Sequence, residues 1–207
     1  YASNKGIIVA KYGKIFIGAG EQITLDFSGN GLMKVIVPTR ELSNITDING
    51  KTLESLVTNN GSLIAEGGYI QLSAKTAENL MLGAVNVGSS GIISTASVDH
   101  QTGNVVIGGD DNNFVNIEGN INISSINPLT PSGALTITGT NVYYGGETNA
   151  SGSNGGKISA NAKKMLVLNS SIVAKGLQEN GGNLMVVSED VLLSTTQTNV
   201  NMSGSIN

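Results

Sequence analysis

The stretch "GGNLMVVSEDVLLS" (Gly181–Ser194) joins two glycines to two short apolar runs that are separated by a polar break. Related stretches begin at Gly67 ("GGYIQLSAKTAENLML") and at Gly155 ("GGKISANAKKMLVLNSS"). The runs are rich in aliphatic and β-branched residues, which favour strands, while the glycines favour turns. Self-similarity at spacings of about 20–50 residues is typical of solenoids. The chain is therefore predicted to repeat one β-strand unit.

The repeated units align on the glycine that precedes a strand. The gaps between successive glycines are 35, 30, 23 and 26 residues. Strand-like runs keep their size, whereas the loops before the glycines vary ("SVDHQT", "SINPLTP", "SGSN", "LQEN"). Variation confined to loops is expected when the strands form the core. The aligned glycines are Gly68, Gly103, Gly133, Gly156 and Gly182.

The spacing of the units decides between all-β architectures. A meander of hairpins uses two-residue turns, and a sandwich has turn signals every 8–12 residues or so. Units of about 25–30 residues with two or three short strands fit a parallel β-helix, whose coils stack about 4.8 Å apart. The chain length predicts about seven or eight coils in one continuous domain, residues 1–207. Four further strand runs are predicted near the start, at 7–9, 14–17, 22–27 and 32–37.

One stretch departs from the β pattern. Ala77, Leu80, Met81 and Ala84 have helical spacing, and Thr76 could cap a helix there. The sequence predicts a short helical insertion near 76–85, with an extended loop as the alternative.

Composition argues against several classes of partner. The chain has 11 Lys and Arg residues among 207, and Arg40 is the only arginine. Nucleic-acid binding needs clustered Lys and Arg, so we expect no nucleic-acid partner. No apolar run approaches the 18 or so residues of a membrane-spanning helix. The absence of cysteine excludes disulfides and cysteine-ligated metals.

Three stretches carry a resemblance to a known family: 13–37 ("GKIFIGAGEQITLDFSGNGLMKVIV"), 57–93 ("VTNNGSLIAEGGYIQLSAKTAENLMLGAVNVGSSGII") and 103–109 ("GNVVIGG"). In this order they resemble the haemagglutinin-type exoproteins of two-partner secretion systems, the filamentous haemagglutinin-like adhesins. The resemblance is closest over residues 1–109. Residues 110–207 continue its rhythm, as in "NASGSNGGKI" (149–158), and are expected to form further coils.

The resemblance implies a right-handed parallel β-helix that forms part of the shaft of a longer chain, after its secretion domain. It implies secretion through an outer-membrane transporter and a location on the bacterial cell surface. The implied roles are adhesion, haemagglutination, virulence and contact-dependent delivery. Partners would be a glycan or protein on a host or neighbouring cell, and fibres could associate with one another.

Few residues suggest site chemistry, and we predict no catalytic residues and no cofactor. His100 is the only histidine and falls in a variable loop. Asp110 and Asp111 are candidate ligands for a hard cation, although the stretch lacks the spacing of a calcium-binding β-roll. Six Asn-x-Ser/Thr triplets are candidate glycosylation sites: Asn44, Asn60, Asn122, Asn149, Asn169 and Asn201.

Two other function classes remain open. A polysaccharide-cleaving or polysaccharide-binding β-helix would share the fold, and cleavage requires carboxylates that converge on one cleft. The carboxylates of this chain are mostly isolated at turns. An ice-binding surface would need threonine rows at one position of every coil, and the threonines of "LTITGTN" and "STTQTNV" do not recur in that way.

Overall fold

In a computed structural model the described residues are 1–20, 22–25, 33–37, 46–47, 49–75, 84–108, 114–194 and 198–204. Within these ranges the chain forms β-strands, and no helix is found. The strands are β1 (Ala2–Asn4), β2 (Ile7–Val9), β3 (Lys14–Ala19), β4 (Gln22–Leu25), β5 (Met33–Val37), β6 (Val57–Asn59), β7 (Ser62–Ile64), β8 (Tyr69–Ala74), β9 (Val85–Val87), β10 (Ile92–Ser94), β11 (Asn104–Gly108), β12 (Phe114–Ile117), β13 (Asn120–Asn122), β14 (Ala134–Asn149), β15 (Lys157–Val173), β16 (Asn183–Val187), β17 (Asp190–Leu193) and β18 (Asn199–Asn201).

Sixteen strands form one parallel sheet that is arranged as three columns. Face A consists of β1, β6, β9, β12, the middle of β14, the middle of β15, and β17. Face B consists of β2, β7, β10, β13, the ends of β14 and β15, and β18. Face C consists of β3, β8, β11, the starts of β14 and β15, and β16.

The chain visits faces A, B and C in turn and then returns to face A. We call one such circuit a coil. Among the described strands there are six coils with a strand on every face, and β17 and β18 begin a seventh. The residues that follow one another down the centre of face A are Val57, Val85, Val115, Val142, Leu166 and Val191. The predictions of an all-β chain and of parallel strands are confirmed, and the arrangement is consistent with a β-helix or solenoid.

The core consists of aliphatic ladders inside the three faces. On face C the inward column contains Ile70, Val105, Leu135 and Ile158, all with 1% exposure or less. Burying such side chains removes apolar area from water at roughly 25 cal/mol per Å². Each coil buries its inward residues against the coils above and below, so stability is a sum over neighbouring coils.

The corner between faces B and C is built on stacked glycines. The carbonyl oxygen of each glycine accepts a hydrogen bond from the residue that follows the stacked glycine of the next coil. An example is Ala134 N–H, which donates to Gly103 O at 3.2 Å. A Cβ on Gly133 would lie 1.7 Å from Gly103 O, so close stacking excludes a side chain there. The stack comprises Gly13, Gly68, Gly103, Gly133, Gly156 and Gly182. The glycine alignment made from the sequence is therefore the structural alignment of the coils.

A second glycine stack lies between faces A and B, and it was not predicted from the sequence. A Cβ on Gly119 would lie 2.3 Å from Gly91 O, and one on Gly146 would lie 2.2 Å from Gly119 O. Gly146 also has a φ of +72°, which non-glycine residues rarely adopt. Its signal was a glycine directly before the first five face B strands. The stack comprises Gly6, Gly61, Gly91, Gly119 and Gly146, and Ser170 follows in register.

The runs at 22–27 and 32–37 were expected to form strands of the stacked coils, and the structure differs there. The runs at 22–27 and 32–37 do contain strands, but β4 and β5 pair antiparallel with each other, outside the large sheet. The seven residues between them are too few for a coil, since a parallel return needs a dozen or more residues. β5 lies beside β3 and β8, and the outward side chains of Gln71 and Ser73 on β8 are buried.

The short helix predicted near 76–85 falls largely outside the described residues, since 76–83 are not among them. Ala84 and Val85 at its end are buried, and Val85 is the first residue of β9 rather than a helical residue. In the parts of the chain that the structure describes, there is no helix with the length and apolar character needed to cross a membrane.

Two buried threonines differ in how their hydroxyl groups are satisfied. On face B the inward Thr148 hydroxyl lies 2.6 Å from the hydroxyl of Tyr144, which is fully buried. Burial raises the pKa of Tyr144 well above its usual value, so the phenol stays neutral. Thr95 is also fully buried, next to the glycine stack, but its hydroxyl has no hydrogen-bond partner. Such an unpaired group costs stability.

We predict that Gly119→Ala lowers the free energy of unfolding by about 2–3 kcal/mol, because the new methyl group overlaps backbone that cannot move aside. The matched control is Gly6→Ala in the same stack, where a Cβ would have its nearest neighbour at 4.0 Å. That change should alter stability by less than about 0.5 kcal/mol. Urea unfolding followed by circular dichroism measures both, and equal midpoints would contradict the stacking argument.

We predict opposite effects on folding stability for two Thr→Val substitutions, each of which replaces a hydroxyl group with a methyl group of similar size. Thr95→Val removes an unpaired buried hydroxyl and should stabilise the chain by about 1 kcal/mol. Thr148→Val removes a partner of the Tyr144 hydroxyl and should destabilise it by about 1–2 kcal/mol. Thermal unfolding of both variants beside the wild type tests this, and a loss of stability in Thr95→Val would show that its hydroxyl is satisfied.

Candidate functional site

The candidate cation ligands lie outside the described residues. Asp110 and Asp111 fall between β11 and β12, in the range 109–113. Among the residues that are described, no group of three or more His, Asp or Glu side chains is placed to hold a metal ion. The prediction about a cation at Asp110 and Asp111 therefore stays a prediction.

Three of the candidate glycosylation sites lie on one outward column of face B. Asn122 pairs in register with Asn149, and Val173 separates Asn149 from Asn201. In each triplet the asparagine Oδ1 accepts a hydrogen bond from the backbone N–H of the serine two positions on, at 3.1, 3.1 and 3.3 Å. Asn149 and Asn201 are exposed and Asn122 is half-buried. The fold thus displays these amides along one edge of the molecule.

The remaining triplets differ from this pattern. Asn169 is half-buried on face A and its amide donates to the hydroxyl of Tyr143 at 2.7 Å. Asn60 is exposed at the corner between faces A and B. Asn44 lies outside the described residues. An attached sugar would therefore meet least obstruction at Asn149, Asn201 and Asn60.

His100 lies at the tip of a tight turn between faces B and C. Val98 and Gln101 exchange backbone hydrogen bonds of 3.0 and 2.9 Å, and Asp99 and His100 between them have φ of +50° and +65°. Positive φ at both central residues defines a type I′ turn, which favours Asn-Gly rather than Asp-His. His100 is exposed and lies in the variable loop, as the sequence predicted, and the turn is strained.

Tyr12 stands beside this turn and is the third non-glycine residue with positive φ, at +56°. Its hydroxyl donates a hydrogen bond to the Asp99 carboxylate, and that bond is the main cause of a raised Tyr12 pKa. Lys11 Nζ lies 5.1 Å from the centre of the Tyr12 ring. The corner thus gathers an aromatic ring, a carboxylate and an imidazole at the surface, and the sequence did not bring Tyr12 and Asp99 together.

A groove of about 470 Å³ runs along the same corner, further down the stack. We call it the corner groove. One side is formed by the ends of the loops between faces B and C, and the other by the first residues of face C strands. The lining residues are Thr102, Asn104, Pro131, Ser132, Gly133, Ala134, Asn154, Gly155, Gly156, Lys157, Asn180, Gly181 and Asn183.

The corner groove is nearly uncharged, and its polar groups are mostly asparagine amides. Asparagine amides from four positions line it, and Lys157 is the one charged residue among the described lining residues. Asn154 is held in place, because its Nδ2 donates to Glu179 Oε2 at 2.6 Å and its Oδ1 accepts from Asn180 N–H at 3.3 Å. This site was not predicted from the sequence. The sequence signal for the groove is the position that follows each turn glycine. This position contains Asn104, Lys157 and Asn183.

A second groove, of about 220 Å³, lies on the outside of face A near the start of the chain. Its lining mixes charges of both signs, including Lys5, Asp47, Lys51 and Glu54. The Asp47 carboxylate accepts backbone hydrogen bonds from Lys51 and Asn49, which lower its pKa. These bonds occupy Asp47 in its own turn, so the residue has a structural role.

Comparison of the chain with models of known protein families, with curated proteins and with solved structures found no match. The family resemblance read from the sequence therefore stays a prediction, and function has to be argued from the fold and from the grooves.

We predict that His100→Gly raises stability by about 1 kcal/mol, because glycine adopts positive φ without the cost that histidine bears. Gln101→Gly is the matched control on the neighbouring residue, which has no positive φ, and it should lower stability. Thermal unfolding measures both. A destabilised His100→Gly would mean that the imidazole makes contacts that outweigh the strain.

Proposed function

We propose that this chain is part of the shaft of a secreted, filamentous adhesin on the bacterial cell surface. The observation that carries the proposal is the uninterrupted stack of coils with one continuous aliphatic core. Such a stack extends in one direction and adds length with every coil, which suits a rod that holds a binding surface away from a cell. The resemblance of residues 13–109 to two-partner secretion exoproteins supports the same role.

The proposal includes several finer points. The coils wind as a right-handed parallel β-helix, and the chain reaches the surface through an outer-membrane transporter. A glycan or protein of a host or neighbouring cell is the binding partner. Neighbouring fibres associate with one another.

We favour a shaft over a polysaccharide-cleaving enzyme because of the chemistry of the corner groove. Hydrolysis of a glycosidic bond uses a pair of carboxyl groups about 5–10 Å apart. None of the described residues that line the corner groove is acidic. The Asp99 carboxylate accepts a hydrogen bond from Tyr12 on an exposed corner, and the Asp47 carboxylate of the second groove is held by backbone hydrogen bonds in its own turn.

A deletion of residues 58–85 tests the modular shaft and leaves the corner groove intact. Val57 pairs with Val85 and Thr58 with Asn86, so the deletion joins two equivalent points of successive coils and keeps the columns in register. The variant should fold, lose about 4.8 Å of length and retain adhesion of cells that display it. Circular dichroism, small-angle scattering and a cell-adhesion assay provide the readouts.

The control for this deletion removes residues 58–71, which is about half a coil and puts the following strands out of register. That variant should fail to fold. If the first variant folds but abolishes adhesion as the second does, the result contradicts a simple shaft. Release of reducing ends from a panel of polysaccharides by the wild type would favour the enzyme instead.

A further inference from the structure

The corner groove is straight and parallel to the direction in which the coils stack. The residues on its strand side, Asn104, Ala134, Lys157 and Asn183, follow one another in the register of face C. They belong to four successive coils, which span about 14 Å at a strand spacing of about 4.8 Å. The groove is therefore an elongated site for an elongated ligand, and its volume falls within the range of about 300–1,000 Å³ of small-molecule sites.

The floor of the corner groove has no side chains for a structural reason. A Cβ on Gly133 would overlap Gly103 O, and one on Gly155 would lie 2.2 Å from Gly182 N. Glycine is thus required there by the stacking, and these positions contribute no side chains to the groove. The loops on the other side carry large exposed apolar residues, Leu129 and Leu177.

The lining selects the chemistry of a ligand. An asparagine amide offers two donors and a carbonyl acceptor, which match hydroxyl groups that both donate and accept. A polyanion needs clustered Lys and Arg, whereas the described lining has a single cation, Lys157. Sites for apolar ligands are lined mainly by large aliphatic and aromatic side chains, and the described lining residues include none.

An extended peptide fits the corner groove poorly. Peptides commonly bind sheets by adding a strand to an open edge. The backbone N–H groups at the groove are already used between coils, as in Asn104 to Gly68 O (2.9 Å) and Lys157 to Gly133 O (3.2 Å). Strand addition is therefore blocked, and side-chain amides are the groups left to recognise a ligand.

We propose that the corner groove binds a short, neutral oligosaccharide that lies parallel to the stacking axis. The proposal deepens the proposed function, since it assigns a glycan-binding site to the shaft itself rather than to a tip. Asn154 and Asn180 lie in successive coils, and such a spacing suits a repeating chain of hydroxylated rings. Many copies of the site along a fibre would raise the overall avidity for a multivalent glycan surface.

The test titrates the full 207-residue chain with neutral gluco-, galacto-, manno- and N-acetylglucosamine oligosaccharides, and with a sulfated oligosaccharide as a charge probe. Calorimetry and amide NMR shifts give the readout. Ala134→Tyr fills the groove from a column that already holds Tyr69, so the fold should accept it. Thr136→Tyr is the matched control, two residues along the same strand and outside the lining, in a column that holds Phe16.

We expect at least one neutral probe to bind, with affinity reduced by about tenfold or more in Ala134→Tyr and within about twofold of wild type in Thr136→Tyr. Asn183→Ala should also weaken binding. Because Asn183 is exposed, this variant should fold normally, and it tests the groove even if Ala134→Tyr misfolds. No binding of any neutral probe, preference for the sulfated probe, or equal binding by Ala134→Tyr would overturn the proposal.

A cell-adhesion assay with cells that display the Ala134→Tyr chain distinguishes the groove site from the shaft role. Adhesion that persists while neutral-probe binding is unaffected by Ala134→Tyr would overturn the groove site and leave the shaft role in place. Failure of the register-preserving deletion to fold would overturn the shaft role independently of any probe.

Discussion

Backbone hydrogen bonding along the stacking axis is the constraint on which the rest of this structure depends. Each coil must approach the next at about 4.8 Å, and at the corners this distance leaves no space for a Cβ. Both glycine stacks follow from that requirement, as at Gly133, whose Cβ would lie 1.7 Å from Gly103 O. Between the corners the same spacing brings like residues together, and aliphatic ladders form the core.

The same constraint also produces the surface that we propose to be functional. Because the glycines of the corner between faces B and C cannot carry side chains, the surface there is a groove rather than a ridge. The loops beside it are free to vary since they lie outside the ladders, and they carry the exposed Leu129 and Leu177. A scaffold that needs glycine for stacking thus provides a long site whose recognition depends on amides at its rim.

The sequence contains a signal for one side of this site, although the site was not predicted from it. Aligning the repeats on the turn glycines also aligns the next residue, and that position contains Asn104, Lys157 and Asn183. The opposite side, with Asn154 and Asn180, could not be predicted, because its loops differ in length and no pattern shows where they pack. Tyr12 and Asp99 are 87 residues apart and meet only because coils one and three share a corner.

By itself the sequence determined the strands, their parallel repetition and the glycines of one corner, since strand propensity, glycine punctuation and loop variation are local properties. Only the tertiary structure decided which contacts run between coils. It set β4 and β5 apart as an antiparallel pair, revealed the second glycine stack, and left the Thr95 hydroxyl unpaired while Thr148 meets Tyr144. The reason is physical: these features depend on the axial register between coils, and register is set by packing of the whole stack.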